Sequence, residues 1–231
     1  MNLLIQRENS AFADDGTCSA LLYESKALSP PLAIPNTWGG PRNSACRVSE
    51  HIRPLKALEF VEAAQKAHVI GLPFNRHLTV HWGKAGLHDA QAAAATGRLI
   101  KLMREWVRKR GGATAYAWLR EEGPYKGPHS HILLHMPEGL SLAFTRRWYK
   151  RVTGWTAKVP RFAVKSVCIG GTARAGFSGS DWYLANLAYV VGYLLKGSDA
   201  STGVALGLDE HSLGGSIVGK RMSICTSLKG A

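Results

Sequence analysis

Residues 74–82 read Phe-Asn-Arg-His-Leu-Thr-Val-His-Trp, with Phe74, Leu78, Val80 and Trp82 on one face. A period of two marks a half-buried strand. Before it, Leu55, Leu58, Val61 and Ala64 recur at helical spacing behind Pro54, which predicts a helix from Pro54 to about His68. After it, Asp89 can cap a long helix that runs to Arg110 and stops at Gly111-Gly112. Two more strands are predicted over 114–121 and 129–136, joined by a turn from Gly123-Pro124 to Gly127-Pro128. Pro137-Glu138-Gly139 ends the second of them, and Ser141 caps a helix bearing Arg146, Arg147, Lys150 and Arg151. A fourth strand spans Phe162 to Ile169, closed by Gly170-Gly171. A glycine- and serine-rich loop then leads to a last helix, capped by Ser180 or Asp181 and ended by Gly197.

The order is helix, then β-α-β-β-α-β, then helix. Strands joined by a short turn are antiparallel neighbours, and the two crossover helices then cover one face of a four-stranded sheet. The expected fold class is therefore α+β: an antiparallel β-sheet with a ferredoxin-like (split βαβ) core, helices mainly on one face. Residues 1–50 carry turn and loop signals such as Ser29-Pro30-Pro31 and Gly39-Gly40-Pro41, which reads as an irregular N-terminal arm. Residues 51–200 form the expected core domain, and 201–231 a C-terminal extension.

Charge narrows the function. Among 231 residues, 29 Lys+Arg stand against 16 Asp+Glu, a net charge of +13. Such a surface attracts polyanions, with nucleic acid the leading partner and anionic membrane second. Hydrophobic residues at 45% and charged residues at 19% exclude a mostly disordered chain. Cys18, Cys46, Cys168 and Cys225 form no C-x-x-C pair, so neither a zinc ribbon nor a thioredoxin-like motif is expected. Scattered cysteines without a secretory apolar core fit a reducing cytosol. The longest apolar run, Tyr183 to Leu195, is interrupted by Asn186 and Gly192, which speaks against a transmembrane transporter. Gly214 to Lys220 has the G-x-x-x-x-G-K spacing of a P-loop, but Arg221 stands where Ser or Thr must hold magnesium. No fused helicase is therefore expected.

His129 and His131 point to one side of their strand, about 6.6 Å apart by the rise per residue. Two imidazoles on one sheet face can chelate a divalent metal. Glu121 ends the preceding antiparallel strand and can complete a three-ligand site that leaves positions open. His135 projects from the same face and competes as third ligand, while Glu122 should face away. Two imidazoles favour zinc or a transition ion; a carboxylate with bound phosphate admits magnesium or manganese. Farther on, Tyr189 and Tyr193 lie four apart on a helix, with Lys196 three beyond. Two phenols and an ammonium on one stripe could face a phosphate.

In sequence order, His77-Leu78-Thr79-Val80, then Glu121 with Gly127-Pro128-His129-Ser130-His131, then Tyr189-Val190-Val191-Gly192-Tyr193 with Lys196, resemble the HUH endonuclease superfamily. The likeness spans roughly residues 74–197 and is strongest to rolling-circle replication initiators of plasmids and small phages. Ser130 stands where that family usually has a bulky hydrophobe, and Gly192 where a two-tyrosine motif often has Lys. The resemblance implies an HUH-type core over 51–200, with the metal and tyrosine site on the sheet face away from the crossover helices. It implies Mg2+ or Mn2+ held by His129, His131 and Glu121. It implies Tyr193 as nucleophile, Tyr189 as second nucleophile, and Lys196 as the cation that offsets phosphate charge. The implied activity is nicking and joining of single-stranded or cruciform origin DNA through a 5′-phosphotyrosine. A host helicase and polymerase would be partners, and the protein would work in the cytoplasm of a bacterial or phage-infected cell, as a monomer or weak oligomer, without a membrane. Arg146, Arg147, Lys150 and Arg151, or Arg104, Arg108, Lys109 and Arg110, are candidate DNA-backbone contacts. Trp82, Trp118 or Tyr125 are candidates to stack on bases. An HUH-type transposase, a metal-dependent hydrolase and a non-catalytic ferredoxin-like nucleic-acid-binding protein are the alternatives.

Overall fold

Leu78 and Val80 turn into one core while His77, Thr79 and His81 turn to the other side of their strand. That alternation is the register on which the whole sheet is built. The computed structural model describes residues 47–170, 180–208, 212 and 214–229. All but the last residues of the expected N-terminal arm, and the loop at 171–179, lie outside the described residues.

The elements run β1 (Val48–Ser49), α1 (Pro54–Val69), β2 (Arg76–His81), α2 (Asp89–Arg108), β3 (Tyr116–Gly123), β4 (Gly127–Leu134), α3 (Thr145–Thr153), β5 (Val164–Cys168), α4 (Asp181–Leu195), α5 (Ala200–Ala205), β6 (Ile217–Val218) and β7 (Met222–Ile224). Five strands form one antiparallel sheet in the order β5-β2-β4-β3-β7. Its first four strands have the split βαβ arrangement, so the α+β, ferredoxin-like expectation holds. The fifth strand was not foreseen. β7 lies in the stretch read as a C-terminal extension, yet it pairs with β3 through Ala117↔Ile224 and Leu119↔Met222.

Two cores sandwich the sheet. On one face, Leu78, Val80, Trp118, Ile132 and Leu134 pack against Leu99 and Met103 of α2 and Trp148 and Val152 of α3. These are the crossover helices, on the expected side. On the other face, Ala117 and Leu133 meet Phe60 and Ala64 of α1 and Leu187, Val191 and Leu194 of α4. The apolar pair Ala117↔Leu133 gives way along the same ladder to Leu119↔His131 and then Glu121↔His129. The second face is thus apolar at one end and polar at the other. Phe74 departs from the expected stripe: it precedes β2, joins the second core, and its carbonyl accepts from the Tyr183 hydroxyl (3.0 Å).

Asp89 does not cap α2. His88 takes the N-cap position, its backbone N–H donating to the Gln91 side chain (3.0 Å). The Asp89 carboxylate instead accepts from the Val218 N–H of β6 and lies 3.4 Å from the buried guanidinium of Arg120. Arg120 also donates to the Asp89 carbonyl (2.6 Å) and the Val218 carbonyl (2.5 Å). Ser180, rather than Asp181, caps α4 by accepting from the Tyr183 N–H (3.2 Å). The P-loop-like segment forms the β6–β7 turn, with Gly219 at φ 78°. Gly215 (φ 76°) lies so close under the Glu122 carbonyl that any Cβ would overlap it, which fixes that loop against β3. Among the described residues no helix is long and apolar enough to cross a membrane.

Candidate metal and nucleophile site

Antiparallel pairing sets Glu121 of β3 directly opposite His129 of β4, with His131 two residues on. Glu121 Oε2 lies 3.5 Å from His129 Nε2 and 3.8 Å from His131 Nε2. All three residues are buried, and their ligand atoms lie within 4.8 Å of one another. Atoms held about 2.1 Å from one ion are spaced roughly 3 to 4 Å apart, so these three can share a metal.

The hydrogen bonds aim the rings correctly. His129 Nδ1 lies 2.9 Å from the Gly127 carbonyl, so its N–H donates there and the Nε2 lone pair faces Glu121. His131 Nδ1 lies 3.1 Å from His77 Nε2 and 3.2 Å from Thr79 Oγ1. His131 Nε2 is buried with no hydrogen-bond partner. A buried nitrogen without a partner costs free energy; a cation seated between it and Glu121 would remove that cost. The donor set admits zinc, manganese or magnesium. His135 is not brought to this group. It lies past the end of β4, where its Nδ1 is 2.9 Å from the Pro73 carbonyl.

His77, Thr79 and His81 belong to the site, and the sequence reading missed their part in it. Register places Thr79 beside His131 and His81 beside His129. The His77–His131 and His81–His129 ring centroids are each 5.2 Å apart. The signal was present in the β2 alternation, but it needed knowledge that β2 lies next to β4. Burial first, then the neighbouring His131 and two lysines, pushes His77 down to about 3. Burial, then His129 and His131, pushes His81 down to about 4. Both stay neutral in the folded protein where an unfolded chain protonates, below about 6.5. The unfolded state then binds more protons, so stability falls as pH drops from about 6.5 towards 4. We expect Tm to fall across this window, and His77→Gln, which cannot titrate, to flatten the fall. An unchanged slope in a pH series of thermal melts would refute this account of His77.

α4 brings the nucleophile candidates. The Tyr193 ring stands edge-on to His131, centroids 6.1 Å apart. Lys196, at the C-cap of α4, donates to both Glu121 carboxylate oxygens (2.8 and 3.1 Å), and its Nζ lies 3.8 Å from the Tyr193 ring centroid. Burial works against ionisation of Glu121. Hydrogen bonds from His129 and His131 and the nearby positive charge, Lys196 included, outweigh it and hold the carboxyl well below its usual range. Glu121, His129, Tyr193 and Lys196 line a cleft of about 200 Å³, with Tyr125 and Lys126 of the β3–β4 turn at its mouth. Tyr125 is 94% exposed. Tyr189 lies one turn earlier on α4, more than half exposed, and does not line this cleft.

The other nucleic-acid candidates lie elsewhere. Trp82 and Trp118 are buried in the core beneath α2 and α3. Arg146, Arg147, Lys150 and Arg151 sit on α3, across the sheet from the cleft, and Lys150 donates to the Thr156 carbonyl (2.9 Å). Arg104 lies over Tyr116 and Arg110 over Trp106; Arg108 and Lys109 end α2 in the same far layer. Charge on a helix surface did not reveal which side of the sheet that helix covers.

Comparison with curated proteins and with solved structures finds no match. A family match is found over residues 77–198, just over half of the chain, to the family described as replication-associated protein of the ORF2 type. The matched segment starts at His77 and takes in Glu121, His129, His131, Tyr193 and Lys196. With that span and these residues within it, the chain belongs to this family of replication-associated proteins.

Proposed function

We propose that this protein is a metal-dependent single-stranded DNA endonuclease and strand transferase of HUH type that initiates rolling-circle replication. The observation that carries the reading is the meeting of Tyr193, Lys196 and the Glu121–His129–His131 group in one cleft. A bound divalent cation, magnesium or manganese, would polarise and orient the scissile phosphate. His129, His131 and Glu121 would hold it, with His77 and Thr79 fixing the His131 ring. The Tyr193 oxygen attacks phosphorus in line, and the bond to the 3′ oxygen breaks. The phenolic proton passes to water, and the departing oxygen takes a proton to become a free 3′-OH for a polymerase. The 5′-phosphotyrosine ester conserves the phosphodiester for later rejoining. Lys196, which already touches both Glu121 and Tyr193, offsets charge on the phosphate. Tyr189 serves as a second nucleophile for strand transfer, and Tyr125 stacks on an unpaired base. The substrate is single-stranded or cruciform origin DNA, with helicase and polymerase supplied by the host.

The test is a denaturing gel of the protein with a pool of 3′-labelled single-stranded oligonucleotides, including DNA flanking its gene, in manganese and in chelator. We expect a labelled protein–DNA adduct in manganese alone. Nicking without adduct would replace this reading by a metal-dependent hydrolase. Binding with neither product would leave a non-catalytic nucleic-acid-binding protein.

A further inference from the structure

A second groove, of about 410 Å³, opens between residues 47–53, the first turn of α1 and the β6–β7 turn. Its charged lining is lopsided: Arg47, Arg53, Lys56, Lys220 and Arg221 face a single carboxylate, Glu50. Arg221 is 7% exposed and forms the floor, donating to the Ser49 carbonyl (2.8 Å), the Ser49 hydroxyl (3.2 Å) and the Gly215 carbonyl. Burial, then the charges of Lys229 and Lys56, holds Lys220 below the usual lysine range. The first turn of α1 adds to the same sign. It holds no acidic residue, and Arg53 at its N-cap offers no capping side chain, so the positive end of the helix is not offset. Like charges gathered around a concavity repel one another and raise the local concentration of anions.

The groove continues from the cleft. Ile52 N–H, in its wall, donates to the Gly197 carbonyl (2.9 Å), one residue after Lys196. The Arg221 carbonyl accepts from Arg120 N–H (2.7 Å), one residue before Glu121. We propose that this groove holds the phosphodiester backbone of the DNA strand leading away from the scissile phosphate. The inference rests on reading the substrate as single-stranded DNA. It adds a backbone-binding subsite made of residues outside the metal and tyrosine group. Most of that subsite, 47–56 and 219–222, also lies outside the family-matched segment. The pattern is that of a phosphate track: mobile cations at the rim, and at the floor an arginine already fixed by backbone carbonyls.

The test uses the full chain in chelator, so that binding is read without cleavage, by fluorescence anisotropy of a labelled single-stranded oligonucleotide over a salt series. Arg53→Glu with Lys220→Glu reverses two rim charges; Arg147→Glu with Arg151→Glu makes the same charge change on α3, across the sheet. The groove pair is expected to weaken binding by about tenfold or more and to lower the salt slope by roughly 1.4, about 0.7 per lost phosphate contact. The α3 pair is expected to cost no more than about threefold. Arg53→Gln with Lys220→Gln, a milder change, should lie between, and melting curves establish that each variant is folded. Equal losses from the two reversals, or a groove pair within about threefold of wild type, would overturn the proposal. So would inorganic phosphate displacing the oligonucleotide at equal phosphate concentration, which would mark a simple anion site. Failure here leaves the manganese-dependent adduct untouched, and absence of the adduct leaves the groove measurement standing.

Discussion

Tyr193→Phe is expected to abolish the covalent protein–DNA adduct while leaving the fold and DNA binding in place. The change removes one oxygen. The ring contacts to His131 and Lys196 survive it, because both are made by the ring and not by the hydroxyl. Loss of a covalent nucleophile costs on the order of 10⁴- to 10⁶-fold in rate, so no adduct should be visible at any practical time. Tyr189→Phe sets the contrast. Tyr189 is exposed and one turn from the cleft, so the first cleavage should stay within about tenfold, and only strand transfer should suffer. A time course of adduct formation, with melting curves for all three proteins, decides the matter. An adduct that persists in Tyr193→Phe and disappears in Tyr189→Phe would reverse the two roles.

The second large effect is expected at Glu121, because its carboxylate does two jobs. It is the anionic member of the metal group, and it is the partner of the buried Lys196 ammonium. Glu121→Gln leaves that ammonium, 9% exposed, without a counter-charge. Breaking one side of a buried ion pair costs about 3–5 kcal/mol, visible as a large drop in Tm. The same variant should lose the stabilisation that manganese gives the wild type, which by mass action is about 2.7 kcal/mol at a hundred times the dissociation constant. Adding Lys196→Met separates the two effects. It removes the stranded charge, so Tm should recover in part, while the manganese response stays absent. If Glu121→Gln melts like wild type and still responds fully to manganese, the carboxylate is neither ligand nor essential partner.

Much of this was readable from periodicity. The alternation in β2 and β4 told which side chains share a face, and Ile132 and Leu134 opposite His129 and His131 fixed the inward side. The hairpin between β3 and β4 followed from its turn residues, and with it the meeting of Glu121 and His129. What could not be read was adjacency between elements distant in sequence. His77 and His81 become part of the site only because β2 inserts beside β4. The Lys196–Glu121 pair joins residues 75 positions apart. Met222–Ile224 is too short to show a period, and becomes a strand only because β3 offers it an edge. The arginines of α3 carried a charge signal but no directional one. Trp82 and Trp118 could have been excluded as stacking platforms, since Trp82 shares the parity of Leu78 and Val80.

The pairing of β3 with β7 has a consequence for how the protein is made. The Tyr116 N–H meets Cys225 Sγ across 109 positions, so the outer edge of β3 stays uncovered while that stretch is synthesised. Contacts of such long range form late and slow folding. An open strand edge is meanwhile a template for pairing with other chains. The strand that delivers Glu121 is thus the part of the sheet most exposed to wrong partners on the ribosome, and a nascent chain that folds early on its first four strands has yet to close the edge beside its own carboxylate.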